Sequence, residues 1–208
     1  MEPDFTGFLV GGIVLGTLVT GVFAWRFGPA RAFAFVVLAG LFSAGLDFLS
    51  AFEAQNYAYP GQTRLWVFTY IFFGWIGVCG TCLLVAEGLL ARRGEGVLTS
   101  NRLRLRVPLL TAVIAVLTDL YIDPIAVEAG YWRWFVPANV YYGIPLLNFV
   151  GWFVLMLIAP LAWIEIARRD LSATRMIFWA FVALPLAGIA AVLLSLALNG
   201  LIGLTGLR

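Results

Sequence analysis

Asp119 and Asp123 stand four residues apart, the spacing that puts two side chains on one face of a helix, at the end of a run otherwise free of charge from Val107 onward. A third acid, Asp47, interrupts a second apolar run. A carboxylate at membrane depth costs about 2.5–3.5 kcal/mol even on the lenient insertion scale, so something must compensate it. One compensation is structural, an ion pair with Arg133 or Arg64. The other is chemical: a carboxyl group in apolar surroundings keeps its proton towards neutral pH and serves as an acid, while a second carboxylate takes a proton nearby. Asp119, the deeper of its pair, is the expected acid, and Asp123 or Asp47 the expected base.

What the chain lacks narrows the chemistry further. It has no His, and all 13 of its basic residues are Arg. Without His there is no clustered-His iron site, no Ser-His-Asp triad and no ordinary zinc site. Without Lys there is no Schiff base. An acid or base must then be Asp, Glu, Tyr or Cys, with Arg as a fixed positive charge. Cys79 and Cys82 form a C-x-x-C in the middle of an apolar run, with no further Cys or His to complete a metal site, and read as packing residues.

These residues must be held by membrane-spanning helices. Of the 208 residues 62% are apolar and only 12% charged, too much for a soluble domain to hide. The apolar runs last roughly 20 residues, the length of a spanning helix, where a barrel strand would alternate over about 10. The expected architecture is an all-α polytopic bundle in one domain over residues 1–208, with spans near Phe5–Trp25, Arg31–Phe52, Leu65–Leu90, Val107–Ile122, Tyr141–Ile166 and Ala173–Asn199. The start, Met1-Glu2-Pro3-Asp4, is acidic where a signal peptide is basic, so the first helix is expected to be retained.

Orientation follows from arginine. The connections after spans one, three and five carry ten Arg, and the opposite side carries Arg64, Arg133 and Arg208. By the positive-inside rule both termini lie outside, in a multi-pass protein of the cell membrane. The net charge of +2 thus reports orientation and does not point to nucleic acid. Glu87 and Glu165 fall near inner helix ends, where their side chains are expected to snorkel to the interface.

In this arrangement the unusual residues gather at the outer face. Asp47 lies about a turn from the outer end of span two, and Asp119 and Asp123 end span four. The outer loops add Tyr57 and Tyr59 on one side and Trp132 and Trp134 on the other. Span five opens with Tyr141, Tyr142 and Pro145 and brings Asn148 and Trp152 just below. The aromatics also fit an interfacial belt, Pro145 a kink, and Asp123-Pro124 a helix end.

The run Asp119-Leu120-Tyr121-Ile122-Asp123-Pro124, then Gly130-Tyr131-Trp132-Arg133-Trp134, then Tyr141-Tyr142-Gly143-Ile144-Pro145 through Asn148-Phe149-Val150-Gly151-Trp152, resembles the signature of the membrane carotenoid biosynthesis proteins. Tyr57-Ala58-Tyr59 is similar to that family's Y-x-Y, whereas Asp47 and Ser50 stand where it usually has Glu and Gly. Characterised members hydrate carotenoids, so the resemblance implies addition of water to an end-group double bond.

Such a hydration needs an acid, a stabilised tertiary cation and a delivered water, with no cofactor expected. Trp132, Trp134 or Tyr141 would face the cation, a contact worth up to about 2 kcal/mol, and Asn148 and Tyr142 would orient the water. The expected partners are the bilayer and a carotenoid or other long isoprenoid, with a second copy of the chain or neighbouring carotenoid enzymes beside it. The competing readings are a non-enzymatic carotenoid-binding scaffold and a small transporter using Asp47 and Asp119, for which the inverted repeat is missing.

Overall fold

A computed structural model describes residues 4–136 and 141–204. Met1–Pro3, which entered the reading of the first helix as retained, and Arg208, which entered the orientation argument, lie outside the described residues. The helices are α1 (Thr6–Phe27), α2 (Pro29–Phe35), α3 (Ser43–Phe52), α4 (Arg64–Leu90), α5 (Leu103–Glu128), α6 (Leu146–Ala167) and α7 (Ala173–Leu204). A π-helical segment, Val36–Phe42, joins α2 to α3 into one membrane-length helix, Pro29–Phe52. Among the described residues six helices are long and apolar enough to cross a membrane, as the runs of apolar residues require. Two short strands, β1 (Tyr57–Ala58) and β2 (Arg133–Trp134), pair antiparallel, with Tyr57 opposite Trp134.

Four boundaries depart from the sequence expectation by four residues or more, α5 starting already at Leu103 ahead of Val107, and two of the others have a local reason. α5 runs through Asp123-Pro124 to Glu128, because Pro124 costs one hydrogen bond that the apolar packing of a long helix outweighs. α6 starts at Leu146, not Tyr141: residues 141–144 close a tight turn in which the Ile144 amide donates to the Tyr141 carbonyl at 2.8 Å. Tyr142 and Gly143 there take left-handed backbone, φ 48° and 74°. Pro145 is therefore the residue capping α6, with extended backbone, and makes no kink. α7 continues to Leu204, past the expected Asn199.

α1 packs on α4 through small residues. A Cβ added at Gly16 would lie 2.5 Å from the Phe73 carbonyl oxygen, and one at Gly80 would lie 2.2 Å from Val19 Cγ1. Between helices in lipid, such backbone approach replaces the hydrophobic drive that water would supply. The core beside it stacks Phe23 on Phe35 at 3.9 Å, with Trp163 against both. Cys79 and Cys82 are buried, unbridged members of the same core, in keeping with a packing role.

The arginine-rich end is tied by side chains reaching backbone carbonyls. Arg31 Nε donates to the Ala167 carbonyl at 2.9 Å, Arg168 to that of Ser100 at 2.8 Å, and Trp163 Nε1 to that of Arg31 at 2.9 Å. In the α4–α5 loop Arg102 pairs with Glu95, and its hydrogen bond, with that of the Arg92 amide, pulls the Glu95 carboxyl down to about 2. Arg104 pairs with Glu165, whose side chain is 31% exposed.

Glu87 does not snorkel. It is 2% exposed, accepts the Val97 amide at 2.8 Å and pairs with Arg26 at 3.0 Å. The folded-over α4–α5 loop brings a backbone donor to it, which a free helix end would leave to water. Arg26 is 40% exposed, so removing Glu87 costs chiefly the buried Val97 amide left without its acceptor, about 1–3 kcal/mol, whereas a surface pair is worth about 0–1 kcal/mol. Glu165→Ala should accordingly leave the thermal midpoint of the detergent-solubilised protein near wild type while Glu87→Ala lowers it clearly. Equal midpoints for the two variants would refute a buried lock at Glu87.

Candidate functional site

The half of the bundle away from the arginine-rich end encloses a cavity of about 970 Å³ to which all six spanning helices contribute, near the upper end of ordinary ligand pockets. Besides the exposed Glu53 at the end of α3, its carboxylates come from two directions. Asp123 enters from α5 and Asp47 from α3. The π-helical turns of Val36–Phe42 reset the helical phase of everything after them, Asp47 included, and such interruptions recur at functional sites. They pack where Gly40 meets α4: a Cβ there would lie 2.7 Å from Phe72 Cε2.

Asp119 and Asp123 share one face of α5, as the spacing requires, and Asn148 bridges them. Its Nδ2 donates to Asp119 Oδ2 and to Asp123 Oδ2, each at 2.6 Å. Asp119 is fully buried behind Asp123 and does not line the cavity, and its Oδ1 has no hydrogen-bond partner among the described residues. One amide thus serves two carboxyl groups.

Asp47 is held differently. The Tyr57 hydroxyl donates to Oδ1 and the Trp75 Nε1–H to Oδ2, the latter at 2.8 Å. The neighbouring Tyr59 phenol is pushed well above its ordinary range by burial first, then by Asp47, Tyr70 and Asp123, and so remains a neutral donor. Two donors on opposite oxygens suit a carboxylate.

The aromatics form a lid whose rings pack on one another. Pairing of β1 with β2 sets Tyr57 against Trp134 at 4.6 Å, and the Phe135 amide ties the strands to the Asn56 carbonyl at 2.9 Å. Trp132, 7% exposed, lies against Phe8 and Tyr59. A belt of residues facing headgroups would be more exposed than this.

The structure therefore gathers Asp47, Asp123, Tyr57, Tyr59, Trp132, Trp134, Asn148 and Trp152 around one space, with Asp119 directly behind. It leaves out two expected residues. Tyr142 is 74% exposed and Tyr141 lies against Tyr142 and Phe149, neither lining the cavity, because α6 starts too late to carry them inward. The ion-pair explanation of the aspartates fails as well. Arg64 lies over the Phe52 ring and Arg133 over Phe135, and the ion pairs among the described residues join Arg26, Arg102 and Arg104 to Glu87, Glu95 and Glu165.

Sequence reasoning missed Trp75 and Tyr70 on α4 and Ser195 and Asn199 on α7, all lining the cavity. The signal for Trp75 was present: an indole N–H deep in an apolar run needs an acceptor. Among the described residues no group of three or more Cys, Asp or Glu side chains is placed to hold a metal ion.

With that geometry in view, comparison with known proteins places the chain. No curated protein and no solved structure matches it. The model of one family, described as carotenoid biosynthesis protein, matches residues 8–205, so the likeness read between Asp119 and Trp152 extends over nearly the whole sequence and takes in every residue of the cavity wall but Gly7. This membrane-embedded helical bundle belongs to the carotenoid biosynthesis protein family.

Proposed function

We propose that the protein adds water to an end-group double bond of an acyclic or monocyclic carotenoid, or a related isoprenoid, by carboxylic acid and carboxylate catalysis without a cofactor. The observation that carries the reading is one membrane cavity walled by two differently held carboxyl centres, Asp123 with Asp119 behind it and Asp47 across from them on another helix.

The sequence favours Asp119 as acid on depth alone. Because Asp123 lines the cavity and Asp119 does not, we give the transfer to Asp123 and take Asp119 as the partner that shares a proton through the Asn148 bridge. Two buried carboxyl groups joined by one amide cannot both hold a negative charge cheaply, so one proton stays with the pair. Asp123 protonates the alkene and a tertiary cation forms. Water attacks it and gives its proton to Asp47, whose two donors favour the charged form before the transfer. The rings of Trp152 and Trp75 face the same cavity and favour the cation by up to about 2 kcal/mol. The polyene reaches the site from the hydrocarbon, since lining residues such as Leu196 and Leu49 are 65% and 51% exposed on the bundle's lipid side. With both termini outside, the site opens in the outer leaflet.

Expression in cells that accumulate lycopene should yield a product heavier by one water. Purified protein should place one non-exchangeable deuterium beside the new alcohol in deuterated water, and oxygen-18 in the hydroxyl from labelled water. A hydroxyl drawn from molecular oxygen would rule the mechanism out, and unchanged carotenoid retained by the protein would favour a scaffold.

Asp123→Asn should cut turnover by about 10²–10⁴-fold, the usual worth of a positioned general acid, with insertion and carotenoid binding preserved. Asp119→Asn should cost less than Asp123→Asn; the reverse order would return the acid role to Asp119. At Gly11 and Gly151, which line the cavity, an added Cβ meets nothing within 4 Å. Gly11→Leu and Gly151→Leu should therefore fold normally yet lose turnover on the order of a hundredfold by displacing substrate, and wild-type rates in both would place the substrate elsewhere. Reporter fusions in the 93–106 loop should report the cytoplasm; an external loop would sink the orientation.

A further inference from the structure

The acid pair and Asp47 are linked by a continuous line of contacts. Asn148, which bridges the pair, is four residues from Trp152, so both share one face of α6. Trp152 meets Trp75 with ring centroids 4.7 Å apart at 55°. Trp75 is 7% exposed, lines the cavity and donates its N–H to Asp47 Oδ2 at 2.8 Å, while Tyr57 holds Oδ1. Two indole rings thus lie between the group that gives the proton and the group that receives one.

A tertiary cation born there has two exits. Water forms the C–O bond and passes a proton to Asp47, and the alcohol results. Alternatively a carbon beside the cation gives a proton to the Asp123 carboxylate, the C–H electron pair reforms a double bond, and alkene returns at its original or a shifted position. The first exit requires a carboxylate oxygen fixed where the water stands. The second requires nothing beyond the group that has just lost its proton.

We infer that Trp75 is the positioning residue that commits the cation to water: its N–H fixes Asp47 Oδ2 against the cavity, and without it the protein returns alkene in place of alcohol. The inference rests on the hydration reading above. It makes the choice between hydratase and double-bond isomerase depend on one hydrogen bond between α4 and α3.

The test uses the full-length protein with lycopene in deuterated water, scoring both the alcohol and the deuterium in recovered alkene. Wild type should give mostly alcohol. Trp75→Phe keeps a ring and removes the donor, so alcohol formation should fall roughly ten- to hundredfold, the worth of a hydrogen bond to a charged group, while deuterium in recovered alkene per alcohol formed rises. Tyr57→Phe, which frees the other oxygen, should move that ratio the same way. The ratio is independent of how much protein folds. If alcohol and alkene exchange fall together in both variants, Trp75 only packs and the inference is overturned. If wild type forms no alcohol while still exchanging deuterium into the alkene, the hydration reading fails separately from it.

Discussion

Everything in the aspartate-bearing half of this bundle follows from the cost of keeping carboxyl groups inside a membrane. At about 2.5–3.5 kcal/mol or more for each charge at bilayer depth, three aspartates would eject their helices unless each found hydrogen-bond donors. Arginine is the obvious source, and the fold does not use it. The donors are Asn148 for Asp119 and Asp123, and Trp75 with Tyr57 for Asp47. Neutral donors lower the cost without cancelling the charge, so the carboxyls stay chemically available. An ion pair would have made them inert.

That choice dictates the architecture around them. Donors on α4, α6 and β1 reach acceptors on α3 and α5 only if five elements keep fixed relative positions. The arginine-rich end supplies this through arginines bonded to carbonyls of neighbouring segments and through the Glu87 lock. The opposite end supplies it through the paired strands and the ring cluster of Phe8, Tyr59, Trp132 and Trp134. Between them, Gly16 and Gly80 let α1 and α4 approach to backbone contact. The glycines thus divide by position: some are pressed against neighbours, and Gly11 and Gly151 face open space in the cavity.

Much of this was legible in the sequence. Period and hydrophobic length give six spans, since nothing else accommodates runs of that length. The four-residue spacing of Asp119 and Asp123 gives their shared face, and the motif puts Asn148 at the same site, though as a residue orienting water and not as the bridge between the two carboxyls. What escaped depended on backbone phase. Tyr141 and Tyr142 belong to the same motif as Asn148 but sit in a turn with left-handed residues, which an apolar pattern does not announce. The π-helical stretch of Val36–Phe42 reads as ordinary helix, since a widened turn has no composition of its own. Glu87 was misplaced because its donor, the Val97 amide, comes from a loop ten residues on, and backbone donors are invisible to residue-type reasoning.

Placing the site in the bundle interior also resolves a conflict in the proposed chemistry. Alkene protonation needs a strong acid and surroundings poor in water, because abundant water would level the acid and solvate the carboxyl that must stay protonated. Capture of the cation needs water, but only one molecule at one place. A cavity open sideways to lipid, roofed by packed aromatic rings and lined mainly by apolar side chains, with polar groups at Asp47, Asp123, Asn148 and a few other acids, amides and hydroxyls, suits both demands. The same opening admits a rigid chain far longer than the cavity, whose remaining length stays in the hydrocarbon. Specificity then concentrates at the end group, the part that must enter, and the length of the polyene matters little to the fit.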